Sequence, residues 1–110
     1  MNIVIVQSLE NTPAKTNRKT KTIYISKVHF DKLDEVSQGL IINHEIGHVL
    51  LDTHNEQLCD DYAVQVLLKQ GYSLNEILKA IVQTLGKKNT FYGRKMNILN
   101  ALRVQAALNN

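Results

Sequence analysis

The sequence contains a single cysteine, Cys59, so an intrachain disulfide is excluded and nothing indicates an oxidising compartment. Tryptophan is absent, and aromatic residues make up only 5% of the chain. No apolar run approaches the roughly 20 residues that cross a membrane, and the first residues lack the basic leader of a signal peptide. We therefore expect an aliphatic core, no membrane association and a cytoplasmic location.

Charged residues are close to balance, with a formal net charge of +3 at neutral pH. A domain that wraps nucleic acid usually carries a denser basic face. Much of the excess lies between Lys15 and Lys21, where no aromatic side chain is interleaved for stacking on bases. We interpret that stretch as a solvated loop or hairpin tip, and nucleic acid is not an expected partner.

The 110 residues, of which 44% are hydrophobic, suit one domain over residues 1–110 with one packed core. Two N-terminal segments are predicted strands, the β-branched run at residues 3–6 and the alternating segment at residues 22–26. Two strands leave at least one sheet edge open, and an open edge can accept an extended peptide as an additional strand.

From residue 36 to residue 51, apolar residues recur at steps of three and four, and others cover much of the remaining surface. A helix that is apolar nearly all round is predicted to be the buried, central one. Asp34 or Ser37 is its candidate N-cap, and residues 52–55 have the composition of a break after it.

Further helices follow this break. One is predicted over residues 56–70 and ends before Gly71, a favoured C-terminal residue. Ser73 and Glu76 have the spacing of a capping box, which opens a helix that ends near residue 86. A last helix is expected over residues 91–108. The pattern therefore predicts an α+β fold, with a small N-terminal β element followed by about four helices.

Residues 44–48 read His-Glu-Ile-Gly-His, an HExxH motif on the predicted central helix. Residues i and i+4 of a helix lie on one face, so His44 and His48 can bind one ion, at about 2.0–2.1 Å for zinc. Glu45 projects at a different angle, from which its carboxylate could act as general base on the attacking water. Such polar side chains in an apolar helix need partners, which a metal ion would provide. A pair of hydrogen-bonded core histidines without metal is the alternative.

A third metal ligand has to come from beyond this helix. His54 follows His48 by six residues, the spacing of the metzincin motif HExxHxxGxxH. Leu51, however, stands where that motif has the glycine that lets the chain reverse sharply. Glu56 begins the next predicted helix, where a carboxylate would face the histidine helix, and Asp60 one turn later could orient a ligating histidine. Glu56 is the preferred ligand, with His54 and then Asp60 as alternatives.

Residues 56–63, Glu-Gln-Leu-Cys-Asp-Asp-Tyr-Ala, resemble the ExxADxxA segment of gluzincin peptidases of the CAAX-prenyl-protease and heat-shock-protease type. They also resemble the corresponding segment of small phage-repressor-cleaving metallopeptidases. The resemblance implies that Glu56 is the third zinc ligand and that Asp60 supports a zinc-binding histidine, while Cys59 replaces the usual alanine. It covers roughly residues 23–102, including Arg94 and the apolar positions after it. The membrane spans of the larger relatives are absent, which implies a minimal zincin-like domain in which two helices form the zinc site.

The expected function is therefore zinc-dependent hydrolysis of peptide bonds, with one Zn²⁺ per chain bound by His44, His48 and Glu56 and with Glu45 as general base. The expected partner is a protein or peptide substrate, held along the strand at residues 22–26. Because so small a core offers few specificity pockets, we expect either a narrow range of targets or a further protein that supplies specificity. The candidates for stabilising the oxyanion of the tetrahedral intermediate are Tyr62, Tyr72, Tyr92, His54 and Arg94.

Two other functions would explain parts of the sequence. The first is a catalytically inactive, zinc-stabilised binding or assembly module. A structural zinc site has no use for Glu45, however, and is usually closed by four protein ligands. The second is a metal-free basic adaptor that contacts nucleic acid through residues 15–21, which predicts salt-sensitive binding.

Overall fold

A computed structural model describes residues 1–85 together with Val104 and Leu108. Apart from these two positions, the predicted last helix over residues 91–108 lies outside the described residues, as does the part of the family resemblance around Arg94. The described residues form a small N-terminal sheet followed by four helices, so the predicted α+β fold is confirmed. None of the helices described is long and apolar enough to cross a membrane.

The sheet contains strands β1 (Asn2–Val6), β2 (Ala14–Asn17) and β3 (Thr22–Ser26). Its order is β1-β3-β2, with β1 parallel and β2 antiparallel to β3. The strands predicted at residues 3–6 and 22–26 are confirmed. The prediction that the second of them is an open edge is wrong, because β3 has a neighbouring strand on each side and buries Ile23 completely.

Strand β2 corrects part of the interpretation of residues 15–21 as a solvated loop or hairpin tip. Lys15, Thr16 and Asn17 belong to this strand, and Thr16 lies opposite Ile23 of β3. Only residues 18–21 form the turn, which Lys21 closes with a φ of +52°. A short polar strand carries no apolar alternation, so its strand conformation depends on pairing with β3.

The described helices are α1 (Lys27–Phe30), α2 (Glu35–Leu50), α3 (Glu56–Lys69) and α4 (Leu74–Leu85). The predicted N-terminal caps of α2 and α4 are confirmed. The Asp34 carboxylate accepts a hydrogen bond from the Ser37 N–H before α2, and the Ser73–Glu76 capping box closes in both directions before α4. Gly71 follows α3 with a φ of +96°, a conformation that glycine adopts without strain.

Helix α2 lies between two apolar clusters, which explains why it is apolar nearly all round. On one side it packs against α3 and α4, and on the other it packs against the sheet. The first cluster is built on Leu40, Ala63, Val64, Leu67, Ile77, Ala80 and Ile81. The second joins Ile23, Ile25 and Phe30 to the partly buried Leu33, Ile41, Ile42, Ile46 and Val49.

Helices α2 and α3 approach closely at Gly47. A Cβ at this position would lie 3.2 Å from the Cα of Cys59, whose side chain is fully buried. Gly47 directly precedes His48, and Cys59 directly precedes Asp60. The absence of a side chain at Gly47 therefore sets how near the acidic residues of α3 come to the histidines of α2.

Candidate metal centre

Three side chains converge where α2 ends and α3 begins. His44 and His48 project from one face of α2, and Glu56 is the first residue of α3. One carboxylate oxygen of Glu56 lies 3.2 Å from His44 Nε2, and the other lies 2.9 Å from His48 Nε2. One ligand atom from each residue lies within 4.8 Å of the others, so this group, called the metal group below, can hold a metal ion.

The turn between the two helices brings Glu56 to the histidines. Asp52 reverses the chain with a φ of +46°, and the Thr53 N–H donates to the His48 carbonyl oxygen over 3.2 Å. Asn55 then caps α3 by accepting a hydrogen bond from the Leu58 N–H. Because the cap immediately precedes Glu56, the carboxylate of the first helical residue lies beside the last turns of α2.

Asp60 orients the first histidine from the next turn of α3. Its Oδ1 lies 2.7 Å from His44 Nδ1, and both side chains are buried. The Asp60 carboxylate accepts a hydrogen bond from the protonated Nδ1. The lone pair of His44 Nε2 is therefore directed away from Asp60 and towards Glu56. A carboxylate behind a ligating histidine commonly sets the tautomer and ring orientation in metal sites.

The backbone orients the second histidine. His48 Nδ1 donates to the Thr53 carbonyl oxygen over 2.7 Å. A carbonyl oxygen can only accept, so Nδ1 carries the proton and, in the neutral ring, Nε2 is an acceptor. Both imidazoles therefore present their Nε2 atoms to the same carboxylate.

This arrangement places electron-rich atoms face to face. Two neutral Nε2 acceptors and the Glu56 carboxylate repel one another unless a cation lies among them, either a proton on a ring or a metal ion. The ligand atoms of the metal group lie within 4.8 Å of one another, close to the maximum of about 4.2 Å between two ligands that share a zinc ion at about 2.1 Å. The donor set of two imidazole nitrogens and one carboxylate fits a divalent metal.

Glu45 is separate from the metal group but adjacent to it. Its Oε2 accepts a hydrogen bond of 2.5 Å from the hydroxyl of Thr16 on β2. The HExxH pattern could not indicate this partner, because Thr16 lies 29 residues earlier, in a segment interpreted as a loop. Thr16 fixes one oxygen of the carboxylate.

The metal group opens into a cavity of about 230 Å³, called the metal cavity below. The cavity is bounded on one side by helical residues and the loop after α2, and on the other by the edge strand β2 and its turn. Its lining residues are Ala14, Lys15, Thr16, Arg18, Glu45, His48, His54 and Glu56. Glu45 therefore faces the same space as His48 and Glu56.

The other sequence-predicted candidates lie apart from the metal group. His54, the alternative third ligand, is exposed and lines the metal cavity but does not belong to the group. Among the candidate oxyanion stabilisers, Tyr72 donates a hydrogen bond from its hydroxyl to Glu35 and does not line the cavity. Tyr92 and Arg94 lie outside the described residues. Arg18, which the sequence pattern did not single out, does line it.

Comparisons with known proteins add no further assignment. No protein-family model matches the chain, and neither a curated protein nor a solved structure is significantly similar to it. The case for function therefore depends on the metal group and on the residues around its cavity.

Proposed function

We propose that this protein is a zinc-dependent metallopeptidase in which His44, His48 and Glu56 bind the metal and Glu45 is the general base. The observation that carries the proposal is the convergence of both Nε2 atoms on the Glu56 carboxylate, beside a cavity that Glu45 also lines. Two imidazoles and one carboxylate are a donor set of catalytic zinc sites. The resemblance of residues 56–63 to gluzincin peptidases supports the same assignment.

The openness of the site favours catalysis over a purely structural role. Structural zinc is usually closed by four protein ligands, whereas catalytic zinc has three protein ligands and an open position. The metal group offers three residues and faces a cavity. Glu45 lines that cavity without being a member of the group, which is the placement that a general base requires.

Zinc bound here would supply Lewis acidity, lowering the pKa of a water molecule and polarising the scissile carbonyl. Glu45 accepts the proton of the attacking water through the oxygen that Thr16 does not hold. It then passes that proton to the nitrogen of the leaving amine as the peptide C–N bond breaks. Asp60 and the Thr53 carbonyl keep both imidazoles in the tautomer that presents Nε2.

Strand β2 is the sheet edge that would hold an extended substrate. It lies at the end of the strand order and contributes Ala14, Lys15 and Thr16 to the wall of the metal cavity. An extended peptide that adds to a sheet edge gains main-chain hydrogen bonds. In this proposal β2 holds the substrate, in place of the central strand β3 that the sequence pattern predicted for this role.

The first test is the metal content of the purified full chain, measured by elemental mass spectrometry without added zinc. We expect close to one zinc per chain, and loss of zinc in the double variant His44→Ala with His48→Ala. Cleavage is then measured on a peptide library prepared from a cell proteome, with new termini identified by mass spectrometry. We expect cleavage by the wild type and none by Glu45→Gln, which should retain its zinc.

Two outcomes would overturn the proposal. A chain that binds no zinc, even after zinc is supplied and the excess is dialysed away, would return His44 and His48 to hydrogen-bonded core histidines. A chain that binds zinc but cleaves no peptide would instead be a zinc-stabilised binding module.

A further inference from the structure

A second cavity, of about 750 Å³, adjoins the metal cavity on the sheet side. Its volume lies within the range of ligand-binding pockets in proteins. The two cavities share Lys15, Thr16, Arg18 and His54 in their walls, so a ligand in one can extend into the other. We call the second cavity the basic groove.

The charged side chains that line the basic groove are lysine and arginine. Lys15, Arg18 and Lys19 line it, and none of the described residues that line it is acidic. A cleft lined by charges of one sign focuses its potential and raises the local concentration of oppositely charged ligands. The groove therefore favours anionic groups.

Arg18 is held at the wall that the two cavities share. Its Nη1 pairs with the exposed Asp52 carboxylate over 3.0 Å, which holds the guanidinium in place. A guanidinium held in this position can bind a ligand carboxylate through its planar set of donors.

The rest of the lining is partly apolar. Val6, Leu9 and Tyr24 contribute to the groove, and the Lys15 ammonium lies 5.8 Å from the centroid of the Tyr24 ring. Apolar surface beside cations suits a peptide, in which acidic and apolar side chains alternate along an extended backbone. It suits a nucleic acid less well, since stacking requires exposed aromatic rings and Tyr24 is only partly exposed.

We propose that the basic groove selects peptide segments that carry Asp or Glu side chains near the bond placed at the metal group. This inference rests on the proposed peptidase function and assigns its substrate class. Lys15, Arg18 and Lys19 are the specificity-determining residues, and they act on side chains beyond the scissile bond. Since Thr16 and Lys15 belong to both walls, the same edge strand that aligns the substrate also presents the charge that selects it.

The test measures binding separately from cleavage. Three fluorescently labelled peptides of equal length carry Glu, Gln or Lys at the same positions, and their binding to the full-length Glu45→Gln chain is followed by anisotropy at low and high salt. We expect the Glu peptide to bind about tenfold more tightly than the Gln peptide at low salt, because it gains several partly exposed ion pairs with the groove. Salt should reduce the difference.

Matched variants locate the effect. Lys15→Gln with Lys19→Gln, and separately Arg18→Gln, should each reduce the preference for Glu, and the triple variant should abolish it. Lys32→Gln with Lys79→Gln removes the same charge from exposed positions that do not line the groove, and should leave the preference unchanged. Lys15→Glu combined with Lys19→Glu reverses the charge at these two positions of the groove, and should make the Lys peptide the tighter ligand.

Three results would overturn the inference. Equal binding of the Glu and Gln peptides would do so, as would a preference that survives all the groove variants. Tighter, lysine-dependent binding of single-stranded oligothymidylate of equal charge would assign the groove to nucleic acid instead.

Failure of the inference can be told apart from failure of the proposed function. Cleavage of library peptides without enrichment of acidic residues would keep the peptidase function and overturn the groove assignment. Groove-dependent binding of the Glu peptide by a chain that cleaves nothing would support the groove's selectivity and overturn the peptidase function.

Discussion

The hydroxyl of Thr16 donates a hydrogen bond of 2.5 Å to the carboxylate of Glu45. Thr16 lies on the edge strand of the sheet, and Glu45 lies in the HExxH segment of α2. This contact connects the two halves of the fold at the group proposed to move the proton. It also restrains one carboxylate oxygen of Glu45, and in the proposed mechanism the other oxygen accepts the proton of water.

The first prediction concerns this contact. Thr16→Val keeps the shape of the side chain and removes the hydroxyl, so the Glu45 carboxylate loses its restraint. We expect kcat to fall by about tenfold, the lower end of the effect of outer supports in metal sites, with KM nearly unchanged. Thr16→Ser should restore kcat, since it returns the hydroxyl. Zinc content should be the same in all three chains, and a Thr16→Val chain as active as wild type would remove the positioning role.

The second prediction separates Glu56 from His54 as the third metal ligand. Glu56→Ala should weaken zinc binding by more than the roughly 10- to 100-fold loss typical of removing an outer support, because it removes a ligand atom from the metal group. His54→Ala changes only an exposed residue outside that group and should bind zinc as the wild type does. Competition with a chromogenic chelator measures both affinities. The opposite ranking of the two variants would assign the third ligand to His54.

The third prediction concerns the close approach of α2 and α3. Gly47→Ala places a Cβ 3.2 Å from the Cα of Cys59, and a backbone atom cannot rotate aside. We expect the free energy of unfolding to fall by up to about 2 kcal/mol, because an overpacking cost of about 1–3 kcal/mol is partly offset by the roughly 1 kcal/mol that alanine gains over glycine in a helix. Zinc binding should weaken as well, because the histidine-bearing helix is displaced from α3.

Gly39→Ala is the matched control for this change. Its added Cβ meets only the Cδ2 of Leu67 at 3.1 Å, the end of a flexible side chain. Alanine is also favoured over glycine in helices by about 1 kcal/mol, so this variant should be neutral or stabilised. Chemical denaturation of both variants gives the comparison, and equal destabilisation would show that close helix approach is not special to Gly47.

The fourth prediction concerns pH and the start of α2. The hydrogen bond that the Asp34 carboxylate accepts from the Ser37 N–H lowers the pKa of Asp34 below its usual value. A lowered pKa in the folded state means that the ionised cap stabilises the protein above the usual pKa of Asp. This contribution is lost as the pH falls through the lowered value.

Two variants measure this cap. Asp34→Ala should cost about 1 kcal/mol of unfolding free energy at neutral pH, since the cap is lost. Asp34→Asn keeps a capping side chain that does not titrate, so wild type should lose stability relative to Asp34→Asn as the pH falls into the acid range. Denaturation curves over that range test the sign, and a wild type that gains stability relative to Asp34→Asn on acidification would contradict it.

Much of the fold could be predicted because its signals are local. The spacing of apolar residues indicated α2, and the pairs Asp34 with Ser37 and Ser73 with Glu76 marked helix starts through contacts between neighbours in the chain. The HExxH spacing placed His44 and His48 on one helix face for the same reason. Asn55, by contrast, belongs to the predicted break by its composition, although its side chain provides the cap from which α3 starts at Glu56.

The strand order could not be predicted from such local signals. Apolar and polar residues alternate over residues 22–26, which is typical of a strand. This alternation does not reveal whether the strand has one neighbouring strand or two. The polar segment from Ala14 to Asn17 became a strand only by pairing with β3. That pairing displaced β3 from the edge and placed Thr16 beside Glu45.

Local spacing is enough to set His44, Glu45 and His48 at their relative angles, because the helical repeat defines those angles. The residues that meet these three side chains depend instead on the tertiary structure. The reversal at Asp52 and the close helix approach at Gly47 brought Glu56 and Asp60 to the histidines, and strand pairing brought in Thr16 and Arg18. These contacts join segments far apart in the chain, so they depend on packing and not on local spacing.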